Sequence, residues 1–155
     1  MSNKNTSFLE TQLLNVGGKL LALAPPKVIG ILNLTPDSFY DGGTINNDTD
    51  ILYRAEKMIS EGADIIDLGG MSTRPGSKEI SEAAELKRVL PAIELLKKHF
   101  PETILSLDTY RAGVAEKGLQ AGVHIINDIS AGTLDDKMFS VVAKFGAPYI
   151  MMHMQ

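Results

Sequence analysis

One short pattern recurs along the chain and limits what it can fold into: a glycine, two residues, an apolar pair, then a side chain able to do chemistry. It reads GADIIDLGG over residues 62–70, GVHIIND over 122–128 and, more loosely, GAPYIMMH over 146–153. Each copy is long enough for one buried strand, and each follows a stretch with apolar residues at helical spacing. Strict alternation of strands and helices gives a parallel sheet joined by right-handed crossovers.

The rest of the chain fits this plan. Residues 11–23, TQLLNVGGKLLAL, read as a hairpin whose Gly17 and Gly18 supply the positive φ of a tight turn, a lid or plug ahead of the main fold. After Pro25 and Pro26, residues 28–32 form a continuous apolar strand that ends at Asn33. A helix capped by Asn47 or Asp48 sets Ile51, Ala55, Met58 and Ile59 on one face and stops at Gly62, before a strand over 63–68. Ser81 caps a longer helix carrying Leu86, Val89, Leu90, Ile93 and Leu96, which Pro91 is expected to kink. A strand over 103–107 leads to Asp108. A helix with Val114, Ala115 and Leu119 stops at Gly122, and a strand follows over 123–126. A last helix over 135–144 stops at Gly146, ahead of a strand over 147–152.

In parallel α/β folds ligands bind at the carboxyl ends of the strands, which makes Asn33, Asp67, Asp108, Asn127, Asp128 and His153 candidate site residues. Periodicity does not separate a doubly wound sheet from a (β/α)8 TIM barrel. The first strand-to-helix turn does: NLTPDSFYDGG is long and lacks the G-x-G-x-x-G of a dinucleotide fold, which favours the barrel. A complete barrel takes ~250 residues and eight units. This chain carries about half of one: a hairpin, strands 1 to 5 and helices 1 to 4, with residues 1–155 forming the N-terminal part of a single domain.

Composition narrows the function classes. At 155 residues and 44% hydrophobic the chain can bury one sizeable core. Net charge is −4 and the Lys and Arg residues are scattered, so no basic face points to nucleic acid. The longest apolar region, 13–34, is broken by Lys19, Pro25, Pro26 and Lys27, which argues against a membrane span, and the polar opening MSNKNTS argues against a secretory signal. The absence of Cys removes disulfides, thiolate nucleophiles and Cys-based zinc sites, and fits a cytoplasmic location.

Two loops carry most of the chemistry. NLTPDSFYDGG, 33–43, combines a rigid proline, two glycines, two carboxylates, hydroxyls and an aromatic; GGMSTRPG, 69–76, sets Arg74 between hydroxyls and Pro75. On composition alone either is also a solvated surface turn. Two long glycine-flanked loops on one face of a barrel suit lids over a ligand.

In order and spacing, GILNLTPDSFYDGG, DIIDLGGMSTRPG, SLDTYRAGVAEKGLQAG, IINDISAG and MMHMQ resemble dihydropteroate synthase over residues 28–155. Met71 departs from the pattern, since many relatives have Glu before Ser-Thr-Arg-Pro-Gly. The resemblance implies an enzyme of folate biosynthesis that joins 7,8-dihydropterin-6-ylmethyl diphosphate to 4-aminobenzoate and releases diphosphate. It implies pterin contacts from Asp108 and Asn127, an apolar pterin wall at Met154, and Asn33 as a Mg²⁺ ligand. It implies that Phe39 and Pro75 sandwich the aminobenzoate ring, that Ser72 and Thr73 offer it hydroxyls, and that Asp41 and Arg74 latch one loop to the other. Sulfonamides, which mimic 4-aminobenzoate, should contact the same pocket.

Asp67 is expected to brace a neighbouring strand, His124 to pack behind its strand and His99 to face solvent. The resemblance further implies an SN1-like path through a pterin cation, a homodimer for the whole enzyme, and additional pterin and diphosphate contacts from a second half. The alternatives are a pterin-binding methyltransferase domain, which lacks the NLTPDSF and STRPG loops, and a non-catalytic fragment that keeps part of the pterin pocket.

Overall fold

The computed structural model describes residues 12–35, 47–71 and 79–152. Strands β1, Leu13–Val16, and β2, Lys19–Ala22, form the antiparallel hairpin, closed by Gly17 and Gly18 at φ 63° and 89°. The Asn15 side chain accepts the Gly18 N–H at 2.8 Å and sets the turn. Strands β3, Ile29–Asn33, β4, Ile65–Gly69, β5, Ile104–Asp108, β6, Ile125–Asp128, and β7, Tyr149–Met151, form one parallel sheet in sequence order. Between them run helices α1, Asn47–Ser60, α2, Glu82–His99, α3, Ala112–Ala121, and α4, Met138–Phe145. Ser81 caps α2 by accepting the Ala84 N–H, and α2 continues through Pro91 to His99.

The recurring glycine proves to belong to the helix before it. Gly62, Gly122 and Gly146 have φ 105°, 103° and 60°, the left-handed conformation that closes a helix. The next amide in each case turns back five residues: Ala63 to Met58, Val123 to Gly118 and Ala147 to Val142. The two residues after each glycine are therefore spent leaving the helix, and β4, β6 and β7 each begin two residues later than the starts expected at 63, 123 and 147. As a consequence, Asn127 and Asp128 lie within β6 instead of beyond it.

Alternation along each strand divides the sheet into two faces. Leu32, Ile66, Leu68, Leu105, Leu107 and Ile126 face the helices and are essentially inaccessible to solvent. The opposite face is layered by the strand register. Ile65, Ile104, Ile125 and Ile150 pack with Val16 of the hairpin, which is 1% exposed, so the hairpin acts as a plug. One register row carries Ile31, Asp67, Ser106 and Ile125, and the row at the carboxyl end carries Asn33, Gly69, Asp108, Asn127 and Ile150.

Close packing of α2 on β4 explains the second glycine of GG. A Cβ on Gly70 would lie 2.7 Å from Val89 Cγ1 and 3.1 Å from Glu85 Cγ. Val89 is β-branched and buried, so it has little room to yield. Gly70→Ala is expected to destabilise the fold by about 1–3 kcal/mol, as overpacked cores do. Urea unfolding would show it as a lower midpoint at unchanged slope.

Candidate functional site

The carboxyl-end row brings Asn33, Asp108 and Asn127 together on three different strands, with Gly69 between the first two. A Cβ on Gly69 would sit 3.4 Å from Asn33 Oδ1 and 3.8 Å from Asp108 Oδ2. Glycine therefore keeps open the space between an amide oxygen and a carboxylate. Asp67 lies one row deeper, beneath that row and 5% exposed.

Asn127 Nδ2 donates to Asp67 Oδ2 at 3.0 Å. Asp67 thus braces not a neighbouring strand, as expected, but β6 across β5, and it fixes the amide, because a carboxylate demands the nitrogen side. Among the described residues, Asn127 Oδ1 is left as a buried acceptor without a protein partner, and Asp67 Oδ1 and Ser106 Oγ are likewise without one. Ser106 stands opposite Asp67 in the register and pulls its pKa down, although the pair does not reach hydrogen-bond geometry. Burial outweighs Ser106 and Asn127 and holds the Asp67 carboxyl above the usual range. Buried polar atoms left open in this way mark a place where a polar ligand completes the bonding.

Asp108 is pushed up to about 7, first by burial and then by the negative charges of Asp67, Glu85 and Asp128. A carboxyl poised there changes charge readily when a ligand offers donors.

The apparent like character of Asn127 and Asp128 in the sequence does not survive in space. Asp128 is fully buried on the helix side of β6 and has its oxygens occupied. Oδ1 accepts the Ser130 N–H and Oγ–H at 2.7 and 2.8 Å; Oδ2 accepts the Gly132 N–H at 2.9 Å and the Tyr149 hydroxyl at 2.5 Å. It folds the β6–α4 turn and contributes no free group. His124 packs as expected: its Nδ1 accepts the Leu105 N–H at 3.1 Å, and burial lowers its basicity. His99 is exposed and lies against the Leu95 carbonyl of its own helix. Phe39, Asp41, Ser72, Thr73, Arg74, Pro75, His153 and Met154 lie outside the described residues.

Sequence reasoning missed Arg111. It follows β5 in the motif SLDTYRAG and reads there as an ordinary solvent-facing cation, yet its side chain is 13% exposed. It donates to Glu85 Oε2 at 2.6 Å, to the Ile80 carbonyl at 2.6 Å and to Glu79 Oε1 at 3.1 Å. The signal available was Glu85, a charge on the apolar face of α2, spaced with Val89 and Leu96.

Residues 29–155 match the family described as "Pterin binding enzyme". The chain belongs to the pterin-binding enzyme family. It is 48% identical over 132 residues to the dihydropteroate synthase of Staphylococcus epidermidis, covering 82% of this chain and 48% of that protein. It is 50% identical over 132 residues to the folic acid synthesis protein of Pneumocystis carinii, covering 85% of this chain and 18% of that protein. The fold is shared with solved dihydropteroate synthases. The Xanthomonas albilineans enzyme with 4-aminobenzoic acid superposes at a TM-score of 0.86 with 38% identity, over 93% of this chain and 52% of that one. The Yersinia pestis enzyme in a sulfonamide drug complex gives 0.82 with 46% identity, over 93% and 52%. The chain spans about half the length of the bacterial synthases it matches, and its α/β architecture is that of the corresponding half of their barrel. Among the described residues no helix is long and apolar enough to cross a membrane.

Proposed function

We propose that the whole protein, of which this chain forms about half, is a dihydropteroate synthase, a transferase of folate biosynthesis acting on 7,8-dihydropterin-6-ylmethyl diphosphate and 4-aminobenzoate. The observation that carries this reading is the Asp108–Asn127 pair beside Asn33 at one end of the sheet, with Asp67 holding the Asn127 amide so that its oxygen is presented. A pterin edge is rich in N–H donors, and a carboxylate and an amide oxygen on adjacent strands offer acceptors for them. This supports a pterin site. Membership of residues 1–155 in one barrel domain, a cytoplasmic location and a homodimer belong to the same proposal.

A hard divalent cation of the Mg²⁺ kind suits Asn33. Among the described residues no three His, Cys, Asp or Glu side chains gather into a metal-binding cluster. Mg²⁺ bound to a diphosphate keeps phosphate and water oxygens in its shell and needs few from the protein. Asn33 Oδ1, beside the opening left by Gly69, would supply one. When bound, the ion neutralises charge on the departing diphosphate. The protein's own share is to orient the pterin through Asp108 and Asn127, and to keep the methylene carbon close to the amine that replaces the diphosphate oxygen. The amine loses a proton as the C–N bond forms. Ring contacts from Phe39 and Pro75, hydroxyls from Ser72 and Thr73, a latch between Asp41 and Arg74, and a pterin wall at Met154 complete the proposal for the aminobenzoate side.

The acidity of Asp108 gives this reading a pH signature. Its proton is retained in the free protein up to about pH 7. A pterin that donates two N–H groups requires the ionised carboxylate, so binding below that pH must expel the proton. Pterin diphosphate affinity is expected to rise roughly tenfold per pH unit toward about 7 and to level off above it. Calorimetry in buffers of different ionisation enthalpy should show about one proton released near pH 6. An affinity independent of pH across that window would remove Asp108 from the pterin site.

A further inference from the structure

Asp67 is a charge in a costly place. It is 5% exposed, its row sets Ile31 on one side and Ser106 on the other, and Ile65 lies two residues before it on the same strand. Among the described residues its one hydrogen bond comes from Asn127 Nδ2 at 3.0 Å, and Oδ1 has no partner. Bracing β6 does not by itself call for a carboxylate, since apolar packing holds strands together without the desolvation cost.

What sets Asp67 apart is that its hydrogen bonding is one-sided. A serine hydroxyl and an asparagine amide each give and take hydrogen bonds, whereas an ionised carboxylate only takes. Left to themselves, Ser106 and Asn127 could be turned either way. With the Asn127 amide rotated by half a turn, its oxygen would face Asp67 Oδ2 across the gap that Nδ2 now spans, two acceptors opposed in a buried place. Asp67 therefore selects one of two amide orientations that differ little in shape. The selected one leaves Asn127 Oδ1 as an acceptor without a partner among the described residues, in register with the Asp108 carboxylate on the adjacent strand.

We propose that Asp67 is a positioning residue that sets the selectivity of the pterin site: by taking the nitrogen end of Asn127 it presents the amide oxygen, so that the site admits a ring bearing an exocyclic amino group and rejects the same ring bearing a carbonyl oxygen there. This rests on the pterin reading of the preceding section. An amino group and a carbonyl oxygen are close in size, so shape does not separate the two rings. Polarity does: the amino group donates to the waiting acceptors, and the carbonyl sets lone pair against lone pair. A site built on hydrogen bonds rejects the wrong partner far more strongly than one built on apolar contact.

The test compares two ligands in the whole protein, 7,8-dihydropterin-6-ylmethyl diphosphate and its counterpart with a 2-oxo group in place of the 2-amino group. Titrations are run at pH 8, above the value of about 7 for Asp108, so that both ligands meet the same charge. The wild type should prefer the amino ligand by roughly a hundredfold or more. Asp67→Asn keeps the shape and frees the Asn127 amide to face either way, so the preference should fall about tenfold or more while the melting temperature stays near the wild type. Combining Asp67→Asn with Asn127→Asp reverses the direction of the bond: position 67 then donates and position 127 again presents an acceptor. That pair should regain the preference even though a further charge beside Asp108 weakens both ligands. In NMR of the ligand-free wild type, one Asn127 Nδ2 proton should exchange with water more slowly than the other, and both should quicken in Asp67→Asn.

An unchanged preference in Asp67→Asn, a combined variant that does not regain it, or two Nδ2 protons that exchange equally fast in the wild type would each overturn the proposal. A preference that behaves as expected in a protein that forms no dihydropteroate would strike the synthase reading alone. A wild type that binds neither ligand would strike the pterin reading, and the Nδ2 exchange would still decide whether Asp67 locks the amide.

Discussion

Arg111→Met as a single change is expected to destabilise the fold by about 3–5 kcal/mol, the usual result of stripping one partner from a buried ion pair. Glu85 is 1% exposed, and among the described residues Arg111 supplies its one side-chain hydrogen bond while Oε1 has none. Without the guanidinium, the carboxylate keeps its desolvation cost and loses its compensation. It is a larger effect than any exposed pair among the described residues should give: around Lys19–Glu102, with side chains 60% and 87% exposed, water screens most of the attraction. Adding Glu85→Leu should return most of the loss, since apolar packing often replaces a buried pair at little cost. Urea unfolding of the two singles and the double measures this as a thermodynamic cycle. A single variant as stable as the wild type would mean that Glu85 finds another partner.

Asp108→Ala is expected to weaken pterin diphosphate binding by about 1.5–3 kcal/mol, roughly ten- to a hundredfold or somewhat more, because a hydrogen bond to a charged group is lost inside a largely buried site. The fold should be unharmed or slightly firmer above about pH 7, where the ionised carboxyl stands near the charges of Asp67, Glu85 and Asp128. The sign follows from its raised pKa. Between the unfolded carboxyl range and about 7, the folded state holds a proton that the unfolded chain has lost, so Asp108 makes stability fall as pH rises through that interval. Calorimetric titration and thermal melts at pH 8 together read both effects. A variant that binds pterin diphosphate as the wild type does would reassign the carboxylate to a structural task.

The pairing of fold and site was legible because three signals agreed: glycine stops, helical spacing, and short apolar runs that end on polar residues. Asn33, Asp108 and Asn127 were readable as strand-end residues, and the register aligns them in one row. Asp128 was not separable from Asn127 by sequence, since adjacent residues of a strand face opposite ways and the exact strand start decides which is which. That start was displaced by the helix-closing turn after Gly122, whose cost in residues depends on cap geometry that composition does not encode. Arg111 escaped for a different reason. Its partners are 26 and 31 or 32 residues away, so only the assembled sheet brings α2, the return of the β4–α2 connection and the β5 turn to one point.

The most direct test of the central claim is diphosphate release by the whole protein mixed with 7,8-dihydropterin-6-ylmethyl diphosphate and Mg²⁺, with and without 4-aminobenzoate. Release that depends on 4-aminobenzoate and matches dihydropteroate formed one for one is the expected result. Binding of the pterin with no such release, or release that ignores 4-aminobenzoate, would contradict the assignment.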